Sequence, residues 1–270
     1  MAARTLLDMA TLPNPLPSLA TSGLRLPPGT LVDATIDEPW HEPLLWYADG
    51  PAAPGTWASL RDAGRSHGLL PVLIDRGSRD QGPEVWDLNP ADTSYPGDHD
   101  AEDVLSEVWD AYAEDELDTG NTWPGLAPVP LAEGPDSPEE LAAAMADMLT
   151  DDGMAMEGAR LALVPARRSA DIPAAIGWGG PLNHENDVAR LCAVLRSWED
   201  RFGIRVLSLG FDTLAVSVAR PPTTQEEALA LAAEHFAFCP DNIQQSTLNT
   251  LEAYAEKALL NQEAWSFWWD

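Results

Sequence analysis

From residue 188 to 202 apolar residues recur at Val188, Leu191, Cys192, Leu195, Trp198 and Phe202. This three-and-four spacing predicts a helix that buries one face. Asn183 or Asn186 opens it, and Gly203 stops it. Two short apolar runs follow, 204–209 and 214–218, joined by Gly210-Phe211-Asp212-Thr213. Strands linked so tightly must pair antiparallel. Thr224-Gln225-Glu226-Glu227 is a full capping box that starts a helix running to 238. Pro240 forbids its continuation. A further helix over 248–260, a strand over 265–269 and an earlier strand over 161–165 complete the order β-α-β-β-α-α-β. That order predicts an α+β unit at 159–270, with a mostly antiparallel sheet and helices packed on one face.

The pattern is sparser upstream. Residues 1–30 hold Pro13, Pro15, Pro17, Pro27 and Pro28 among leucines and predict an irregular arm. Leu44-Leu45-Trp46-Tyr47 predicts a strand. Thr56 is positioned to cap a helix over 57–67, with Gly68 as its left-handed stop. A strand over 69–74 follows, and its Pro71 suggests an edge or entry position. Residues 84–88 suggest another. Together 1–90 reads as an arm followed by a small α/β layer. The segment 91–158 reads as an acidic helical and linker region. Its first helix, 101–114, carries the stripe Val104, Leu105, Val108, Trp109 and Tyr112. After a Pro/Gly-rich connection at 124–138, Ser137-Pro138-Glu139-Glu140 starts a second helix running to 149.

Charge changes the picture. The chain of 270 residues carries 15 basic and 44 acidic residues, a formal net charge of −29. No Lys or Arg occurs between Arg79 and Arg160, a stretch that holds 22 of the 44 acids. Such a surface repels phosphate backbones and anionic membranes, so neither nucleic acid nor membrane is expected as a partner. It suits a basic protein or a cation, or serves solubility alone. Lys257 is the only lysine, which with abundant Ala and Pro reads as the codon bias of a GC-rich genome. Two cysteines make no disulfide framework. The first residues are broken by acid and proline before a signal-type run forms, so the cytoplasm is the expected compartment.

The densest chemistry is Ala233-Glu234-His235-Phe236-Ala237-Phe238-Cys239-Pro240-Asp241. His235 and Cys239, four apart, fall on one face of a helix end. With Asp241 and the turn residue Asp212 they are the catalytic candidates, either as a thiolate–imidazole pair or as metal ligands. A zinc ion would need a further donor from His184, Asp212 or Asp270, and no recognised zinc spacing occurs. A helix C-terminus also opposes thiolate formation. The competing reading is structural: a packed thiol, a histidine tying off carbonyls, and Asp212 bonding its own turn. Neither metal nor cofactor is expected.

Gly177-Trp178-Gly179-Gly180 lacks the lysine and hydroxyl of a phosphate loop. Its glycines let the backbone turn under Trp178, or else Trp178 anchors an interface. Trp178, Trp268 and Asp270 are the binding candidates, since a terminal edge strand can also accept a partner by strand addition.

Several of these pieces occur together in one family. Gly177-Trp178-Gly179-Gly180, Leu195-Arg196-Ser197-Trp198-Glu199, Gly210-Phe211-Asp212-Thr213-Leu214, Pro221-Pro222, Phe238-Cys239-Pro240-Asp241 and Trp268-Trp269-Asp270 resemble the family catalogued as domain of unknown function 4253. The resemblance implies a fold unit and no activity. After Asn242 this chain reads Ile243-Gln244-Gln245-Ser246-Thr247, where the family tends to place a Gly-rich link. The function expected from the residues is a protein-interaction module, immunity- or inhibitor-like, that binds a basic partner. The alternative is a hydrolase or metal-dependent enzyme working around Asp212, His235, Cys239 and Asp241.

Overall fold

Seven strands hydrogen-bond into one sheet: β1 (Gly29–Val32), β2 (Leu45–Ala48), β3 (Leu69–Ile74), β4 (Arg160–Pro165), β5 (Ile204–Leu209), β6 (Thr213–Val218) and β7 (Ala264–Trp268). This computed structural model describes residues 13–116, 122–130 and 137–270, without the side chains of 112–116. The expectations for residues 1–12, for Tyr112 and for parts of the linker at 117–121 and 131–136 lie outside the described residues.

The strand order is β1-β2-β4-β3-β5-β6-β7. Every neighbouring pair is antiparallel except β3 and β5, which run parallel and pair only at Leu73 with Ser208 and Ile74 with Leu209. Strands from the N-terminal third and from the C-terminal block therefore interleave within one sheet, and both contribute to the core on each of its faces.

Among the described residues, eight α-helical segments flank the sheet: α1 (Thr56–Arg65), α2 (Ala101–Glu116), α3 (Pro138–Thr150), α4 (Ile172–Ile176), α5 (Val188–Phe202), α6 (Gln225–Phe238), α7 (Asp241–Gln244) and α8 (Leu251–Tyr254). The alternation of strand residues sorts them into two layers. Val72, Ile74, Val164, Val206, Val216 and Phe267 share a core with α2, α4, α5 and α6. Leu69, Leu73, Leu161, Leu163 and Leu207 pack on the opposite face against Trp57 and Leu60 of α1 and Ala142, Met145 and Ala146 of α3. Within the C-terminal block the long helices α5 and α6 do lie on one face, and α3 from the middle segment covers the other side of β5 and β6.

Several local expectations shift. At α1 the N-cap is Gly55, left-handed at φ 76°, and Thr56 makes no cap bond. Asp187, not Asn183 or Asn186, caps α5 by accepting from the Ala189 amide. It is the residue directly before the helix, where a side-chain oxygen reaches the free amides. Residues 84–88 form no strand. Pro83–Val85 is a single 3-10 turn, and the extended residues after it find isolated partners, Leu88 O with Ile36 N and Asn89 N with Gly177 O. The last helix starts at Leu251, capped by Thr250, and passes into one π-type turn over Ala255–Leu259.

Pro71 lies inside a strand with neighbours on both sides. Asp75 N–H donates to Leu209 O, so strand alternation turns the Pro71 nitrogen to the same side, toward β5. Pairing with β5 has not begun there, and the missing donor costs no ladder bond.

Candidate functional site

The C-terminal half of α6 is buried on all sides, every residue from 231 to 238. A helix sunk this deeply must find partners for each polar side chain it carries. His235 is fully buried, with its ring 4.8 Å from Trp198, 4.7 Å from Trp265 and 4.9 Å from Phe267. Its Nδ1 lies 3.1 Å from the Tyr254 hydroxyl, which accepts a hydrogen bond from Asn242 Nδ2 at 3.1 Å. The second ring nitrogen is Nε2. That atom is buried without a hydrogen-bond partner, enclosed by aromatic rings. Burial, with a smaller contribution from Arg201, pushes the imidazole pKa down to about 3. A histidine so placed stays neutral at physiological pH.

Cys239 ends the helix. Its thiol donates to Trp268 O at 3.0 Å and lies 3.5 Å from Asn242 Oδ1. Burial pushes its pKa up to about 12. His235 and Cys239 share a helix end, as their spacing predicts, yet no hydrogen bond joins their side chains. Their side chains connect through Tyr254 and Asn242.

Asn242 is the hub that the sequence did not single out. Its Nδ2 donates to Tyr254 Oη and, at 2.6 Å, to Ser266 O, while its Oδ1 accepts from Trp268 N at 3.2 Å. The side chain thus fastens α7 to the edge of β7 that faces away from β6. An asparagine just past Pro240-Asp241 reads as a turn residue, and these partners lie 12 to 26 positions away.

Asp241 is buried too. Its Oδ2 is 3.0 Å from His184 Nε2 and accepts from Asp270 N at 3.0 Å, while Oδ1 accepts from Gln245 Nε2 at 2.9 Å. One carboxylate therefore holds the 177–184 loop and the last residue of the chain. Asp212 is exposed at the tip of the β5–β6 turn. Its backbone carbonyl accepts from Trp269 N, and its carboxylate makes no hydrogen bond or ion pair with His235, Cys239 or Asp241.

Of the binding candidates, Trp178 points inward. Its indole N–H donates to Gly210 O at 2.9 Å and its ring meets Trp269 edge-on at 5.6 Å. Gly177, at φ 62°, and Gly180 permit this, because a Cβ on either would collide with Pro90 or with the Trp178 ring. Trp268 and Asp270 face solvent at the edge strand β7, where burial alternates strictly with position.

A second polar cluster lies beneath the first. Glu234 is completely buried and accepts from Arg201 at 2.7 and 2.5 Å, Trp198 Nε1 at 2.8 Å and Ala127 N at 2.6 Å. The carboxylate is saturated by charge-assisted bonds and ties the 122–130 segment to α5 and α6. Among the described residues no group of three His, Cys, Asp or Glu side chains is arranged to hold a metal ion.

On the outside, α2 has the opposite character. Val104, Leu105 and Trp109 are buried, while Glu102, Asp103, Glu107 and Asp110 are exposed. Asp100 caps the helix by accepting from the Glu102 and Asp103 amides at 2.9 and 3.2 Å. Among the described residues the one ion pair on α2 is Glu107 with Arg190, at 2.7 Å, and that contact lowers the Glu107 pKa.

The fold and site define an α+β protein whose chemistry-bearing C-terminal side chains are mostly bound into its own scaffold. Residues 160–270 match the family model described as Domain of unknown function (DUF4253), the family that the motifs resemble. The match runs from β4 to the chain end and leaves β1–β3 and α1–α3 outside it. No curated protein and no solved structure matches the chain. No helix among the described residues is long and apolar enough to cross a membrane.

Proposed function

We propose that this protein is an interaction module that binds a basic protein partner through its acidic segment, with α2 at the centre of the contact. The observation that carries the reading is the fixed presentation of α2. Its apolar stripe anchors it to α5 and α6, and Glu102, Asp103 and Asp110 stand exposed without internal cations. Carboxylates on a rigid element, within a chain of net charge −29, steer a basic partner and set its register more than they add raw affinity. An inhibitor or immunity protein that neutralises a basic toxin or enzyme has this chemistry. The two unpaired cysteines support a reducing compartment such as the cytoplasm.

Catalysis around Asp212, His235, Cys239 and Asp241 has less support. Three of the four are buried and engaged in the network described above, and the fourth carboxylate stands apart from it.

The test is an affinity capture from host lysate at low salt, using the wild-type chain and the variant Asp98→Asn, Glu102→Gln, Asp103→Asn, Asp110→Asn. All four positions are exposed, and Asp100 is left to cap the helix. The expected result is a basic protein retained by the wild type and lost by the variant. Equal capture by both, or no basic protein with either, would overturn the proposal.

A further inference from the structure

The basic residues of this acidic chain are unevenly spread. A cavity of about 380 Å³ is lined by Arg61, Arg65, Arg167, Arg168 and Arg205, five of the 15 basic residues in the whole chain. Only two carboxylates, Glu139 and Glu199, line it with them.

The cavity follows from the topology. Because β3 and β5 pair only at their last residues, their earlier parts, Leu69 to Pro71 and the region of Arg205, leave a gap. The chain leaves that gap open to other groups: Val206 N–H donates to Ser169 Oγ at 2.8 Å instead of to β3, and Pro71 offers no donor. Helices α1 and α3 and the loop after β4 wall the space, with Leu70, Pro71 and Ala142 as apolar surface.

Three of the arginines have structural duties. Arg205 bonds Glu139 Oε1 at 2.7 Å, Arg61 bonds the Glu139 carbonyl at 3.0 Å, and Arg168 pairs with Asp200 at 2.6 Å and Glu199 at 3.4 Å. Arg65 and Arg167 have none: both are exposed and make no hydrogen bond or ion pair with the described residues. Two uncommitted guanidinium groups beside three oriented ones, facing one gap, match the planar fork geometry that recognises oxyanions. The volume lies within the range of small-molecule sites, roughly 300 to 1,000 Å³.

We infer that this cleft between β3 and β5 binds a small molecule bearing a phosphate or carboxylate group, with Arg65 and Arg167 as its contacts and the apolar wall against its body. The site is separate from the acidic face of α2 and takes a ligand of opposite charge.

Calorimetric titration of the full chain in low-chloride buffer tests this with inorganic phosphate, adenosine monophosphate and citrate as probes. The expected result is saturable binding of at least one, weakened at least tenfold in the double variant Arg65→Gln, Arg167→Gln. Arg79→Gln, an exposed position outside the cleft, is expected to bind as the wild type does. Because neither cleft position carries an internal bond, the double variant is expected to melt at the wild-type temperature, which separates lost binding from lost folding. Binding of the two phosphate probes without citrate assigns the ligand as a phosphate, and citrate alone assigns it as a carboxylate. Absence of saturable binding at millimolar concentration of all three, or equal binding by a folded double variant, would overturn the inference.

Discussion

Cys239 and Cys192 are expected to react with a disulfide reagent at pH 8 at least about a thousandfold more slowly in the native chain than in denaturant. The reacting species is the thiolate, and burial pushes the Cys239 pKa from its ordinary value of 9.0 to about 12. Three units reduce the thiolate about a thousandfold, at tenfold for each unit. Exclusion of the reagent slows the reaction further. Cys192, fully buried in α5, is displaced in the same direction by the same cause. The measurement follows release of the coloured thiol with and without denaturant. Rapid native labelling of Cys239 beside an inert Cys192 would restore the nucleophile reading and contradict the structural role assigned to the network around Asn242.

The second large effect lies at Glu234. Replacement by Ala is expected to cost roughly 3 to 5 kcal/mol of unfolding free energy in urea, the range for breaking a buried ion pair by removing one partner. The loss is large because Arg201 would keep a charge only 13% exposed, and the Trp198 and Ala127 N–H groups would lose their acceptor together. A companion variant separates charge from volume: Arg201→Met, Glu234→Leu removes both charges and is expected to recover a substantial part of the loss. If Glu234→Ala lowered stability by less than about 1 kcal/mol, the carboxylate would not be the clamp that the geometry describes.

What was legible in the sequence was local. The stripe of α5, the capping box at Thr224 and the tight link at Gly210–Thr213 each depend on residues within a few positions, and the structure forms all three. The insertion of β3 between β4 and β5 was not legible, because its decisive pairing joins Leu73 to Ser208. Pro71 pointed to an edge, since nothing local reveals that its nitrogen faces a gap. At the candidate site the residue types were visible, but burial was not. His235, Cys239 and Asp241 look reactive by residue type and become structural once Trp198, Trp265 and Phe267 enclose His235, Cys239 donates to Trp268 O, and Asp241 holds His184 and Asp270 N. Glu234, one position before His235, passes for a surface residue of a capped helix until Arg201 and Trp198 are placed beside it. The arginine cleft is non-local in the same way, assembled from segments near residues 61, 139, 167 and 205.

The central claim is that charge on α2 directs partner binding. Its most direct test is the association rate constant of the captured basic partner with the wild-type chain across ionic strength, read beside the four-residue amide variant. Association steered by charge weakens as the screening length falls from about 30 Å at 0.01 M salt to about 3 Å at 1 M. The account predicts a wild-type rate that drops at least about tenfold over that range and a variant rate that starts lower and changes little. A wild-type rate indifferent to salt would contradict it.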